Sequence, residues 1–127
     1  MDTKERFYAK LLIAISVAAM FFHFLIVIKV IPYAITWGGR LKTDSEMYVF
    51  ESVSIGINLF FVFLVLQRVG MVRSLLGEKT VTILLWIFFG LFALNTLGNL
   101  FASTQLERWF TLLTLASAFL IWKINRG

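Results

Sequence analysis

Leu11–Ile28 runs for 18 residues and carries two polar side chains, Ser16 and His23. Nothing else in the chain limits its fold so sharply. A run of that length and purity can cross a bilayer as a helix. Inside hydrocarbon a backbone must satisfy its own hydrogen bonds, which leaves helices and closed barrels. Two similar runs follow: Met47–Leu66, broken by Glu51, Ser54 and Asn58, and Thr80–Ala102, broken most strongly by Asn95 and Asn99. Trp109–Trp122 is a fourth, whose charge-free part is 14 residues long. That is about 21 Å of helix, short of a hydrocarbon core of about 30 Å. Snorkelling of Arg108 and Lys123, with Trp109 and Trp122 as anchors, would cover the difference. The expected fold is all-α: one domain, 1–127, forming a compact bundle of four transmembrane helices at about 9–30, 45–68, 80–102 and 107–124.

The breaks between runs are as informative as the runs. Pro32 and the pair Gly38–Gly39 end the first helix, because proline lacks an amide donor and glycine tolerates turns. Thr43-Asp-Ser-Glu46 then has the spacing of a capping box, in which a threonine hydroxyl and a glutamate three residues on satisfy each other's backbone amides. Gln67–Lys79 reads as a short basic linker with Gly70 and Gly77 as breakers, and Ser103–Arg108 reads as a polar turn. A cleaved signal peptide would need a small-residue cleavage site, and Lys29-Val-Ile-Pro-Tyr33 does not supply one.

Composition closes off several chemistries. Hydrophobic residues make up 60% of the chain and charged ones 15%, so the apolar excess belongs against lipid. There are no cysteines and one histidine, His23, so thiol chemistry and histidine metal clusters are out of reach. No cofactor is implied. The net charge of +5 does not indicate nucleic acid, since the basic residues sit in short clusters beside the apolar runs. Eight of them flank the termini and the middle linker: Lys4, Arg6, Lys10, Arg68, Arg73, Lys79, Lys123 and Arg126. Four lie on the opposite side: Lys29, Arg40, Lys42 and Arg108. The positive-inside rule then puts both termini in the cytoplasm and the Pro32–Glu46 loop outside.

Polar groups inside a membrane are costly and turn inward or mark a site. Helix rise puts His23 about 8 Å and Glu51 about 6 Å from the outer ends of their helices, with Asn99 and Asn95 about 5 and 10 Å down the third. Asn58 is nearer the middle. Glu51, Ser54 and Asn58 share one stripe, and Asn95 and Asn99 share another. Ser16, Ala19 and His23 form a stripe on the first helix, as Thr111, Thr114 and Ser117 do on the fourth. These groups converge beneath the Trp37-Gly-Gly-Arg40 loop, with Trp37 and Arg40 at the mouth. Glu51 needs a partner, and His23, Arg40 and Lys42 are the candidates. The candidate ligand-binding set is therefore His23, Trp37, Arg40, Glu51, Ser54, Asn58, Asn95 and Asn99.

Three functions fit this pattern. The first is an outward-facing pocket for a lipid or small molecule, in a binding or carrier protein. The second is a structural or accessory subunit, a homodimer or part of a membrane complex, in which polar stripes and small-residue pairs such as Ala14/Ala18, Gly98/Ala102 and Thr114/Ala118 hold helices together. The third is an intramembrane enzyme using His23 and Glu51 as acid and base. No nucleophile motif or phosphate loop accompanies the third.

The run IPYAITWGGRLK followed by EMYVFESVSIGIN resembles small bacterial four-helix membrane proteins. The resemblance covers most of the chain and implies an inner-membrane location, and no activity comes with it. In fold alone, four short helices with an intramembrane acid and histidine are similar to the sterol-isomerase and sigma-2-receptor group. No motif of that group matches residue by residue, so no functional residue carries over.

Overall fold

The computed structural model describes residues 3–36, 40–101 and 105–125. These form four helices and no strand: α1 (Thr3–Val27), α2 (Asp44–Arg68), α3 (Glu78–Leu100) and α4 (Gln105–Asn125), with a short 3-10 turn, Tyr33–Ile35, between the first two. The turn expected at Gly38–Gly39 lies outside the described residues, as do Ser103 and Thr104 of the one expected at Ser103–Arg108. The rest of that expected turn, Gln105–Arg108, is instead the first turn of α4. Helices α1, α2 and α3 are each long and apolar enough to cross a membrane, and at most 22% of each apolar window is buried. Most of their surface is therefore free to meet lipid. Helix α4 is not among these spans. Glu107, Arg108 and Lys123 lie within it rather than beyond its ends, and they dilute its apolar stretch.

The helices stand in a ring in chain order. Extensive contacts join α1 to α2, α2 to α3, α3 to α4 and α4 back to α1. Each neighbour runs antiparallel. His23 meets Glu51 and Lys29 meets Asp44 between α1 and α2. Between α3 and α4, Thr96 meets Thr114, and the Asn125 amide donates to the Thr82 carbonyl at 2.9 Å. The Phe61 ring on α2 packs against Phe88 and Phe92 of α3, 4.9 and 5.3 Å between centroids.

Packing is uneven along the bundle. At the end bearing Gly70, all four helices contribute to one core, including Leu12, Phe61, Leu64, Leu85, Phe88 and Ile121. Towards the end bearing Pro32 the core thins. Among the described residues, α3 has no buried residue beyond Phe88, and α4 has none between Glu107 and Ser117. A second, small cluster of Ile26, Leu41 and Met47 plugs the space between α1 and α2.

The helix ends have local causes. At the start of α2 the Thr43 hydroxyl accepts from the Glu46 amide at 3.2 Å, and the Thr43 amide donates to the Glu46 carboxylate at 3.1 Å. The expected capping box is present. Helix α1 is already formed at Thr3, ahead of the expected start at about 9, because its charged first turns extend the helix beyond the apolar run. It stops before 30 because Lys29 takes a left-handed conformation, φ 64°. The Val30 amide then donates to the Leu25 carbonyl and the Lys29 amide to that of Ile26. This six-to-one, five-to-two pattern is a Schellman close. Helix α2 ends the same way, with Gly70 at φ 72° and the Met71 amide on the Leu66 carbonyl.

Gly56 and Gly70 both have open space where a Cβ would go, so only the backbone separates them. Gly56→Ala, in mid-helix, should stabilise the bundle by about 0.5–1 kcal/mol. Gly70→Ala should destabilise it by about 1 kcal/mol or more, since its φ is positive. Unfolding of the detergent-solubilised variants by denaturant measures both signs.

Candidate functional site

Glu51 lies two turns into α2 and has no exposed surface. A carboxylate in such surroundings is tenable only when protonated or paired. Its partner comes from α1: the Nδ1 of His23 is hydrogen-bonded to the Glu51 carboxylate across 28 residues of sequence. The antiparallel register set by the α1–α2 turn brings them level. His23 keeps 18% of its side chain exposed. Of the three expected partners for Glu51, the histidine is the one that meets it. Arg40 and Lys42 are exposed, and the Lys42 backbone amide donates to Glu46 instead, at 3.0 Å.

Aromatic side chains stand beside the pair. Phe22 stands edge-on to the His23 ring at 6.0 Å and to Phe110 of α4 at 4.8 Å. One turn nearer the Pro32 end, Ile26 of α1 and Met47 of α2 are buried against Leu41 of the α1–α2 loop. Two surface clefts lie elsewhere among the described residues. One, of about 570 Å³, lies beside the loop and is lined by Lys29, Pro32, Tyr33 and Leu41 among others. The other, of about 420 Å³, is at the Gly70 end. Neither is lined by His23 or Glu51.

The other expected site residues separate. Ser54 and Asn58 are half-buried, and the Asn58 amide donates to the Ser54 carbonyl at 2.8 Å, within its own helix. Asn95 is exposed and Asn99 half-buried. The α3 residue that faces α4 is Thr96, whose hydroxyl lies 2.9 Å from that of Thr114. Asn95 is rotated about 100° from it around the helix, which turns it out of the bundle. The convergence of all four helices at one polar level is thus reduced to His23 with Glu51. Trp37 lies outside the described residues.

A second polar cluster was not visible in the spacing. Asp44, the first residue of α2, accepts from the Lys29 ammonium and, at 3.0 Å, from the Tyr33 hydroxyl. The hydrogen bond to Asp44 raises both Lys29 and Tyr33 above their ordinary pKa values. The lysine therefore favours folding at neutral pH, a contribution lost only as pH rises past the ordinary lysine range. The pair is exposed, so its worth is small. Its signal in the sequence was the lone basic residue closing the first apolar run, which also reports topology.

If the histidine and glutamate hold α1 to α2, breaking the pair one-sidedly must cost more than removing both. His23→Leu should destabilise the bundle by about 3–5 kcal/mol, because it strands a buried carboxylate. The double variant His23→Leu/Glu51→Leu should recover most of that loss. A thermodynamic cycle in mixed micelles reads the coupling, and additive losses would remove the pair from this role.

No known protein family, curated protein or solved structure matches the chain.

Proposed function

We propose that this chain is a small integral membrane protein with a structural role, a subunit that self-associates through α3 near its Pro32 end. The observation that carries this reading is a pair of amides. Asn95 and Asn99 stand one turn apart on α3, and neither side chain makes a hydrogen bond among the described residues. Asn95 lies about 8 Å inside the helix end, beside the exposed Leu91 and Leu94. An amide among acyl chains lacks the partners that water would offer, and packing against another helix is the usual remedy. A carboxamide both donates and accepts. The same residue on a second copy, across a two-fold axis, therefore complements it. Gly98 lies next to it on this face with open space around it, so two backbones can approach closely.

The bilayer arrangement belongs to the same proposal. Helix α4 is read as a fourth crossing, because its 21 residues extend about 31 Å and its hydrogen bonds to α3 run from Thr82 to Thr96. Both termini then share one side, and the basic-residue balance makes that side the cytoplasm. The buried His23–Glu51 pair is read as a clasp between α1 and α2. A ligand site or acid–base centre there would need a path to Glu51, and the Ile26–Leu41–Met47 plug favours the clasp.

The absence of native cysteine makes the interface directly testable. Gly98→Cys should give a disulfide-linked dimer on mild oxidation in membranes, and Val53→Cys, exposed on α2, should not. Asn95→Leu with Asn99→Leu should suppress the Gly98→Cys product. Equal cross-linking at both positions, or none at Gly98, would overturn the interface. For topology, cysteines replacing Lys4 and Lys123 should be labelled from one side and one replacing Ser45 from the other. Opposite sides for Lys4 and Lys123 would leave three crossings.

A further inference from the structure

At the Gly70 end, the cleft of about 420 Å³ lies between α1, the end of α2, the following loop and the start of α3, and its lining includes Arg6, Gln67, Arg68, Ser74 and Glu78. Two features of its wall are unusual for a surface groove. Gln67 is only 8% exposed. Its carbonyl oxygen accepts from the Leu75 and Leu76 amides at 2.8 and 2.9 Å, while its amide nitrogen is buried without a partner. The guanidinium of Arg68 has a side chain 11% exposed, and its Nε is likewise buried and unpartnered. Two N–H donors left without acceptors in one wall are costly, and a small turn of either side chain towards the cleft would let a group outside the chain accept from it.

The remaining groups define the acceptor's charge. Arg6 and Arg68 are cationic. The N-cap of α3 is Gly77, which has no side chain to cap the first turn, so that turn's amides and the positive end of the helix dipole lie beside the cleft. The one acid in the lining, Glu78, is 87% exposed and approaches Arg68 only to 3.8 Å. It is too loosely held to satisfy the arginine.

From this we infer an anion site at the Gly70 end of the bundle that takes a phosphate group, with Arg6 and Arg68 as its charged ligands and Gln67 as a neutral donor. A phosphate presents several acceptor oxygens and matches the planar guanidinium. On a chain lying in a bilayer, a basic cleft at the ends of spanning helices is at the level of lipid headgroups. The inference rests on the chain being in a membrane and is independent of the Asn95 face.

The test compares the unfolding midpoint of the full chain in three settings: phosphatidylcholine vesicles, the same vesicles with phosphatidylglycerol added, and phosphatidylcholine vesicles with inorganic phosphate in the buffer. Stabilisation by phosphatidylglycerol alone identifies a lipid headgroup, and stabilisation by inorganic phosphate identifies the free ion. In either case Arg6→Gln, an exposed position, should weaken the apparent affinity more than about tenfold, through loss of a charge-assisted hydrogen bond. Lys4→Gln removes the same charge from α1 outside the cleft and should cost at most the general surface attraction, about fivefold with phosphatidylglycerol and nothing with free phosphate. Stabilisation by neither anion, or equal loss in Arg6→Gln and Lys4→Gln, would overturn the site and leave the α3 interface untouched.

Discussion

A polar group in hydrocarbon must bring its partner with it. Glu51 obeys this most strictly, since it is wholly buried and its hydrogen bond comes from another helix. The pairing fixes how far α1 slides along α2. Above it the Lys29–Asp44 pair repeats the same register near the loop. Both pairs depend on the turn between them. That turn is possible because Lys29 accepts a left-handed backbone and Thr43 restarts the helix with its own cap.

The two ends of the bundle solve packing differently. At the Gly70 end, aliphatic and aromatic side chains from four helices fill a common core. Towards the Pro32 end, besides the small Ile26–Leu41–Met47 cluster, contact is carried by point interactions: a carboxylate on an imidazole, two threonine hydroxyls, an edge-on pair of phenylalanines. Hydrogen bonds between helices in a bilayer are each worth about 1 kcal/mol or less. That end therefore has the lower density of stabilising contact, which is where local opening is easiest. The cleft at the opposite end differs in kind, because its walls are set by the tight core beneath.

Much of this was legible in the sequence, for identifiable reasons. Long apolar runs can only be helices in a membrane, so the first three elements followed directly. The Thr43–Glu46 box gave a helix start because capping depends on local spacing. His23 was among three candidates for Glu51, and depth alone made it level with the acid. The facing of α3 was misread. That helix is apolar on every side, so Asn95 and Asn99 served as its compass, whereas Val81, Leu85 and Phe88 mark the buried face and Thr96 continues it. The Gln67 contacts to Leu75 and Leu76 were illegible, since they depend on how the loop after α2 folds back.

The ring arrangement makes α1 and α4 neighbours although about the whole chain separates them; Phe22 touches Phe110, and Ala9 shares a core with Ile124. During synthesis from the N-terminus, that seam is the last to close. Until α4 emerges, α1 is held on one flank only, by α2. The hairpin of the first two helices must therefore survive on its own while the ribosome completes the remainder, and the buried acid–imidazole bond is already complete at that stage.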